Sequence, residues 1–255
     1  MQDFVQHGKQ VIRSGLNRLH LDLTQNLRYD RLTRKVIRRV IREGDTCIDI
    51  GSHYGEILDL MLRYSPTGLH LGFEPLPHMF RTLAQKYAGR CRIYPYALSN
   101  QTGVVSFQWA HNAPAYSGLQ KRTYNTTDPG LEEIEVETRR LDDLISELEG
   151  PTPACVPIRL MKIDVEGAEY SVLQGALQLL KRDKPVVIFE FGLGASDHYG
   201  VNADMMYRLL TEEAGLQISL LEDYLLSRDP LSREAFCDCY VTGREYYFIA
   251  HPALS

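Results

Sequence analysis

The chain has 255 residues, a formal net charge of −5 at pH 7 and a hydrophobic fraction of 44%. This length is sufficient for one large α/β core. The acidic balance argues against a general nucleic-acid-binding protein, which needs a basic surface. No apolar run is long enough for a membrane span, and the first residues lack a signal-peptide pattern. Five scattered cysteines indicate reduced thiols, so we predict a cytoplasmic protein without stable membrane insertion.

Residues 1–43 are predicted to form a helical N-terminal extension, followed by one main domain over residues 44–255. Apolar residues between Leu32 and Ile41 recur at helical spacing, and basic residues cover the opposite face. We interpret this basic face as a solvated surface, with contact to an anionic substrate or a membrane surface as the alternative. Gly44 is expected to end the helix.

A strand, a glycine turn and a helix are predicted next. The β-branched run Thr46–Ile50 precedes Gly51-Ser52-His53-Tyr54-Gly55, after which helical spacing resumes. Gly51 permits a tight turn and Gly55 a close approach of the backbone. The spacing is G-x-x-x-G, which differs from the dinucleotide and P-loop motifs, so the turn does not predict a pyrophosphate site.

The second predicted strand, residues 69–73, ends in Glu74-Pro75, about 20 residues after the glycine turn. An acid at this point can accept hydrogen bonds from both hydroxyl groups of a ribose. The alternative is a surface acid that flanks the following helix. Together with Asp49 and the glycine turn, Glu74 favours ribose binding.

The rest of the chain continues the alternation of strands and helices. Strands are predicted at residues 91–97, 104–109, 133–140, 158–161, 186–191, 217–221 and 245–250, and helices at 79–87, 141–144, 170–180 and 203–213. The continuous apolar run from Val186 is typical of a parallel strand covered on both faces. Residues 111–130 have loop composition, and their length suggests a functional loop or lid.

The segment Lys162–Glu169 is the principal candidate for chemistry. It follows an apolar run and precedes a helical pattern, which places Asp164 at the carboxyl end of a strand, where open α/β sheets bind ligands. Glu190 ends the next predicted strand, so adjacent strands would bring the two carboxylates to one edge. Glu166 and Glu169 can also be explained as acids in the first turn of a helix.

Taken together, these residues resemble the FkbM-type methyltransferases, which use S-adenosylmethionine. The resemblance extends from about residue 45 to residue 192. It is carried by Asp49–Gly55, Phe73-Glu74-Pro75, Ala97–Asn100 with Gly103, Leu141-Asp142, Lys162–Glu169 and Glu190. It implies an α/β, Rossmann-like class I methyltransferase fold, with a seven-stranded, mostly parallel sheet whose last strand is antiparallel.

The resemblance also implies the cofactor-binding residues. Asp49, Gly51 and Gly55 would line the methionine end, Glu74 with the adjoining Pro75 would hold the ribose, Tyr96, Ala97 and Ser99 would flank the adenine, and Asp164 would lie at the reacting end. Members of the family often have asparagine where this chain has His53, so the contact at that position is left open.

The implied reaction is methyl transfer to a hydroxyl oxygen of a sugar, glycan or natural-product acceptor. We expect Asp164 at the reacting centre, as general base or as the group that orients the hydroxyl. Glu190 and His198 are supporting candidates, with a surface histidine as the alternative for His198. As a further alternative, the two carboxylates hold a divalent cation such as Mg²⁺.

Two other classes of function are considered. A nicotinamide-dependent oxidoreductase would share the ribose acid, but it requires the closer glycine spacing that this chain lacks. A non-catalytic protein with a degenerate cofactor pocket is opposed by the presence of Asp49, Gly51, Gly55, Glu74 and Asp164. The expected partner is therefore a small-molecule or glycan acceptor, and not nucleic acid.

Overall fold

The computed structural model describes residues 24–111, 118, 130–149 and 157–253. Its strands form one sheet of seven strands and one of three. The described helices and strands are α1 (Gln25–Val40), β1 (Thr46–Ile50), α2 (Glu56–Tyr64), β2 (His70–Phe73), α3 (Pro77–Lys86), β3 (Cys91–Tyr94), β4 (Ala97–Leu98), β5 (Gly103–Ala110), β6 (Leu131–Arg139), α4 (Leu141–Glu149), β7 (Ile158–Ile163), α5 (Glu169–Gln174), α6 (Leu177–Asp183), β8 (Val186–Glu190), α7 (Ala203–Arg208), β9 (Gln217–Leu220), α8 (Leu221–Leu225), α9 (Arg233–Thr242) and β10 (Tyr247–His251).

The large sheet has the strand order β3-β2-β1-β7-β8-β10-β9. Strands β3, β2, β1, β7 and β8 are parallel, and β10 runs antiparallel to both β8 and β9. This confirms the predicted Rossmann-like class I methyltransferase fold with its antiparallel last strand. The order of the strands reverses between β1 and β7, so their carboxyl ends form the crevice in which open α/β sheets bind ligands.

Both faces of the large sheet are covered by helices, which explains the continuous apolar strands. All five residues of β1 are buried. On one face, Val36 and Ile37 of α1 and Met61 of α2 lie in a core layer with β1, β7 and β10. On the other face, helices α4 to α7 and α9 enclose a second layer that contains Phe189 and Phe248.

The predicted strand over residues 91–97 divides into two strands of different sheets. Pro95 lies at the division and has no N–H to donate, so it cannot continue a sheet ladder. β3 ends the large sheet, whereas β4 pairs with β6, and β6 pairs with β5, in the small sheet. Phe107 and Val136 of the small sheet pack against Met79 of α3.

The predicted helix over residues 170–180 consists of two helices, α5 and α6, separated at Gly175. A Cβ atom on Gly175 would lie 2.1 Å from the carbonyl oxygen of Ser99, so only glycine permits this close approach. The carboxylate of Asp142 accepts the backbone N–H groups of Gln178 and Leu179 at 3.0 and 2.9 Å, which caps the start of α6.

The helix of the N-terminal extension is confirmed over Gln25–Val40, while residues 1–23 lie outside the described part of the chain. It ends at Val40, before Gly44, and Thr24 caps its start. Lys35, Arg38 and Arg39 of its predicted basic face are exposed, as expected for a solvated surface, while Arg28 and Arg39 also contact the protein. Arg28 forms ion pairs with Glu222 and Glu245, and Arg39 donates to the carbonyl oxygen of Leu225.

Other differences from the sequence prediction lie in the C-terminal third. Helices α8 and α9 were not predicted, and the regular helix predicted to residue 213 ends at Arg208 and continues as one π-helical turn, Leu209–Glu213. The proposed lid over residues 111–130 falls almost entirely outside the described residues. Within the described ranges, no helix combines the length and the apolar character needed to cross a membrane.

Candidate active site

The glycine turn after β1 contacts the ends of two neighbouring strands. The backbone N–H groups of Gly51 and Ser52 both donate to the carbonyl oxygen of Phe73 at the end of β2, at 3.0 Å each. Gly51 has φ +80°, and a Cβ atom at this position would lie 2.0 Å from the carbonyl oxygen of Asp164. The turn therefore requires glycine because the end of β7 approaches its backbone closely.

Gly55 begins α2 in the left-handed conformation, with φ +79°. A Cβ atom here would lie 2.3 Å from the hydroxyl oxygen of Tyr87. That hydroxyl lies 2.7 Å from the carbonyl oxygen of Gly55 and 2.8 Å from Oδ1 of Asp59. The close approach that the sequence predicted at Gly55 is thus made by a buried tyrosine of the protein.

Glu74 lies at the carboxyl end of β2 with only 4% of its surface exposed. Its Oε2 accepts the backbone N–H of His53 at 2.9 Å, and its Oε1 accepts that of Leu76 at 3.0 Å. Burial raises the pKa of Glu74 to about 7, although both hydrogen bonds act in the opposite direction. Pro75 follows, half-buried, at the point where the strand ends.

Asp49 of β1 is buried, with 2% of its surface exposed. Burial raises the pKa of this carboxyl group to about 7, while the charge of Lys162 and a hydrogen bond from Ser52 lower it. Lys162 is its register partner on β7. Asp49 and Glu74 are thus two buried acids on adjacent strands of the same sheet, each with a strongly perturbed pKa, which is typical of functional sites.

The turn between β7 and α5 is held by Glu169. Its Oε1 accepts the backbone N–H groups of Val165 and Gly167 at 3.0 and 3.3 Å, and its side chain is buried. Burial raises the pKa of Glu169 to about 7. Gly167 has φ +107°, and a Cβ atom there would lie 2.6 Å from the carbonyl oxygen of Ala195. Glu169 therefore shapes the turn that presents Asp164.

The carboxylate of Asp164 lies at the end of β7, with 31% of its side chain exposed. Its Oδ2 accepts hydrogen bonds from the ammonium of Lys162 at 2.9 Å and from the hydroxyl of Tyr247 at 2.6 Å. Burial opposes its ionisation, but the charge of Lys162 and these hydrogen bonds outweigh burial and lower the pKa of Asp164. Asp164 is therefore an accessible, ionised carboxylate.

Glu190 ends β8 beside Asp164, as the parallel pairing of Ile163 with Phe189 requires. The two carboxyl groups share a hydrogen bond. Burial and the negative charge of Asp164 raise the pKa of Glu190 well above its usual value. Like charges in contact cannot both ionise, so Glu190 keeps the proton and donates a hydrogen bond to the carboxylate of Asp164. The predicted meeting of the two acids at one edge agrees with this geometry.

The residues expected around the adenine lie between β3 and β5. Tyr96 is half-buried, with the guanidinium of Arg139 located 5.5 Å from its ring centroid. Ala97 is buried in β4, and the backbone N–H of Ser99 donates to the carbonyl oxygen of Arg139 at 3.0 Å. Their contact with the cofactor stays a prediction.

His198 lies on an exposed 3-10 turn, Ser196–Tyr199, between β8 and α7. Its backbone N–H donates to the carbonyl oxygen of Ala195. The donors that bind Asp164 are Lys162 and Tyr247. A supporting role for His198 in the reaction stays a prediction.

The sequence prediction did not assign roles to Lys162 and Tyr247. Lys162 was part of the central motif, and its position two residues before Asp164 on a strand places both side chains on one face. Tyr247 lies 83 residues from Asp164, and only the antiparallel pairing of β10 with β8 brings it there.

A divalent cation is not supported by the donor set. In the described ranges, no group of three or more His, Cys, Asp and Glu side chains is arranged to hold a metal ion. Moreover, Asp164 and Glu190 share a hydrogen bond, and Oδ2 of Asp164 already binds the ammonium of Lys162. This arrangement is that of a proton-sharing pair, not of two free carboxylate ligands.

Relatives that are named as methyltransferases align with this chain, among them the following two. Methyltransferase sdnD of Sordaria araneosa is 30% identical over 152 residues, which are 50% of this chain and 59% of that protein. The hexuronic acid methyltransferase AglP of Haloferax volcanii is 26% identical over 211 residues, or 80% of this chain and 79% of that protein. The alignment with sdnD thus spans less than two thirds of that relative.

Among solved structures, that of a methyltransferase FkbM from Methylobacillus flagellatus KT matches with a TM-score of 0.47 and 15% identity, covering 86% of this chain and 50% of that chain. The family model described as the methyltransferase FkbM domain matches residues 49–218, which is more than half of the chain and includes Asp49, Glu74, Asp164 and Glu190. The chain belongs to the FkbM methyltransferase domain family.

Proposed function

We propose that this protein is an S-adenosylmethionine-dependent O-methyltransferase that acts on a hydroxyl group of a sugar, glycan or natural product. The observation that carries the proposal is the pair formed by Asp164, whose carboxylate accepts hydrogen bonds from Lys162 and Tyr247, and the adjacent Glu190. The pair lies at the carboxyl edge of a class I methyltransferase sheet, in a chain of the FkbM family.

The described residues fit the cofactor. Asp49 and Glu74 are buried acids whose pKa values rise to about 7, because burial outweighs the few hydrogen bonds they accept. Ligand hydroxyl groups would supply the missing donors, and a ribose carries two of them in adjacent positions. Each oxygen of Glu74 accepts one backbone N–H, which leaves a second lone pair on each for such a contact.

When bound, S-adenosylmethionine supplies a methyl group that is activated by its positively charged sulfur. The residues of the chain must then orient the acceptor and take up its proton. Asp164 is ionised and accessible, so it can accept a hydrogen bond from the acceptor hydroxyl. The proton of the acceptor hydroxyl becomes more acidic as the hydroxyl oxygen bonds to the methyl group. Even a carboxylate of lowered pKa, such as Asp164, can therefore accept that proton.

The charge at this edge favours a neutral acceptor atom. Asp164 is ionised, and the charge of Lys162 is already paired with it. A carboxylate acceptor would be repelled, whereas a hydroxyl would donate a hydrogen bond to Asp164. The relative AglP is named as a hexuronic acid methyltransferase, which supports a sugar acceptor for this chain. We therefore propose a sugar hydroxyl as the acceptor group.

The experiment combines cofactor binding with product analysis. Purified protein is incubated with methyl-labelled S-adenosylmethionine and a panel of neutral glycosides, uronic acids and hydroxylated natural products. We expect label in a base-stable methyl ether and its loss in Asp164→Asn. Asp229→Asn, a change of an exposed acid in the loop after α8, serves as the matched control. Label in a base-labile methyl ester, or no binding of the cofactor, would contradict the proposal.

A further inference from the structure

The hydroxyl of Tyr247 is 2.6 Å from Oδ2 of Asp164, the oxygen that also binds the ammonium of Lys162. We propose that Tyr247 is a positioning residue, held in place by Tyr29 of the N-terminal helix, that fixes the orientation of the Asp164 carboxylate. The inference rests on the proposed function, since it assigns Tyr247 a role in presenting the proposed reacting group.

Tyr247 is well placed for this role because β10 lies directly beside the acidic pair. In the antiparallel register of β10 and β8, Tyr247 is opposite Glu190. Its ring contacts two partners. The ring of Tyr29 stacks on it at 5.1 Å with an interplanar angle of 23°, and the ammonium of Lys162 lies 5.2 Å from its centroid.

Tyr29 is itself fixed by groups at the start of β10. Its hydroxyl hydrogen bonds to Oε2 of Glu245 and accepts the backbone N–H of Tyr246 at 3.3 Å. Arg28 holds the other oxygen of Glu245 at 2.9 Å and also pairs with Glu222 at 2.9 Å. The basic N-terminal helix thus connects through Tyr29 and Tyr247 to the reacting edge of the sheet.

The charges around Asp164 define what the Tyr247 hydroxyl contributes. Lys162 and Tyr247 both donate to Oδ2, which limits rotation of the carboxyl group, and Glu190 shares its proton with Asp164. Three further acids, Asp49, Glu169 and Asp30, act on this set through their charges, and the titratable hydroxyl of Tyr246 interacts with Glu190. Loss of the hydroxyl would leave Lys162 as the donor to Oδ2 and favour protonation of Asp164.

The test uses a pair of neighbouring tyrosines. Tyr247→Phe removes the hydroxyl bound to Asp164, and Tyr246→Phe removes one that bonds to Asn26 on α1. For Tyr247→Phe we expect a fall in kcat of about tenfold, the size of one lost charge-assisted hydrogen bond. We also expect the acid limb of the kcat profile to move to higher pH by about one unit, with the Kd of S-adenosylmethionine within about twofold of wild type. Tyr246→Phe should match wild type throughout.

A second measurement does not depend on turnover. Carbon-13 NMR of aspartate-labelled protein without cofactor, assigned with Asp164→Asn, gives the titration midpoint of Asp164 directly. We expect a higher midpoint in Tyr247→Phe and an intermediate one in Tyr29→Leu, which removes the stacked ring. The Tyr29→Leu variant also provides the test if Tyr247→Phe does not fold.

The outcomes separate this inference from the function on which it rests. An active wild-type protein whose Asp164 midpoint and acid limb are unchanged in Tyr247→Phe and Tyr29→Leu would refute the positioning role alone. A wild-type protein that neither binds S-adenosylmethionine nor transfers its methyl group would refute the proposed function and the positioning role together.

Discussion

The carboxylate of Glu74 accepts the backbone N–H of His53 at 2.9 Å, which connects the end of β2 to the glycine turn after β1. The donor is the main chain of His53 and not its imidazole. His53 adopts φ +47°, a left-handed conformation that directs the peptide group toward Glu74. This hydrogen bond to Glu74 therefore does not depend on the side chain at position 53.

Replacement of Glu74 by Gln should weaken binding of S-adenosylmethionine. The amide retains one acceptor oxygen but places an NH₂ group opposite a backbone N–H, so both the loop and the ribose contact lose a charge-assisted hydrogen bond. We expect a loss of about 2 kcal/mol in binding free energy, measured by calorimetric titration. The exposed Glu135→Gln on β6 is the matched control. Equal affinity of wild type and Glu74→Gln would remove Glu74 from the ribose site.

Substitutions of His53 test the main-chain contact. His53→Asn should bind S-adenosylmethionine as wild type does and change the free energy of unfolding by less than about 0.5 kcal/mol, because asparagine tolerates the left-handed region. His53→Val should cost about 1–2 kcal/mol, because a β-branched residue does not tolerate it. Urea unfolding and cofactor titration measure both effects. A strong loss of binding in His53→Asn would show that the imidazole itself contacts the ligand.

Two glycines with similar backbone angles separate conformational strain from close approach. Gly51 and Gly89 have φ +80° and +73°, but a Cβ atom would lie 2.0 Å from the carbonyl oxygen of Asp164 at Gly51 and more than 4 Å from any neighbour at Gly89. Gly89→Ala should destabilise by about 1 kcal/mol, the cost of the backbone conformation. Gly51→Ala should cost at least twice as much, since β7 must move away. Similar unfolding free energies for the two variants would contradict this geometry.

The stability of the cofactor-free protein should depend on pH through Asp49. Burial raises its pKa from 3.8 to about 7, so the folded protein holds a proton that the unfolded chain releases between these values. The contribution of Asp49 to the free energy of unfolding should therefore decrease as the pH rises from about 4 to about 7 and then level off. Glu74 and Glu169 contribute with the same sign, because burial also raises their pKa values to about 7.

Asp49→Asn removes one part of this dependence. The difference in unfolding free energy between pH 5 and pH 8 should shrink by about 1 kcal/mol or more relative to wild type, as urea titrations at both pH values would measure. Asp164 does not interfere, because its lowered pKa places its own contribution below about pH 4. The same difference between pH 5 and pH 8 in Asp49→Asn and in wild type would contradict the raised pKa of Asp49.

Much of the site follows from local sequence patterns. The run Thr46–Ile50 with its glycine turn, Glu74 after the second strand and Asp164 after a central strand each lie where the pattern places them. The meeting of Asp164 with Glu190 was also predictable, because parallel neighbours bring their carboxyl ends to one edge. Helix α9 escaped prediction even though Ser232 caps its start, because its apolar residues follow the helical period only weakly.

The sequence by itself determined which segments become strands and which acids end them, because hydrophobic runs, glycine and proline act on their immediate neighbours. The tertiary structure decided how those acids are ionised. Tyr247 reaches Asp164 across 83 residues, and Tyr29 supports it from α1. The pKa of each site acid is set by its burial and by hydrogen-bond donors from distant strands, and neither can be inferred from a local sequence pattern.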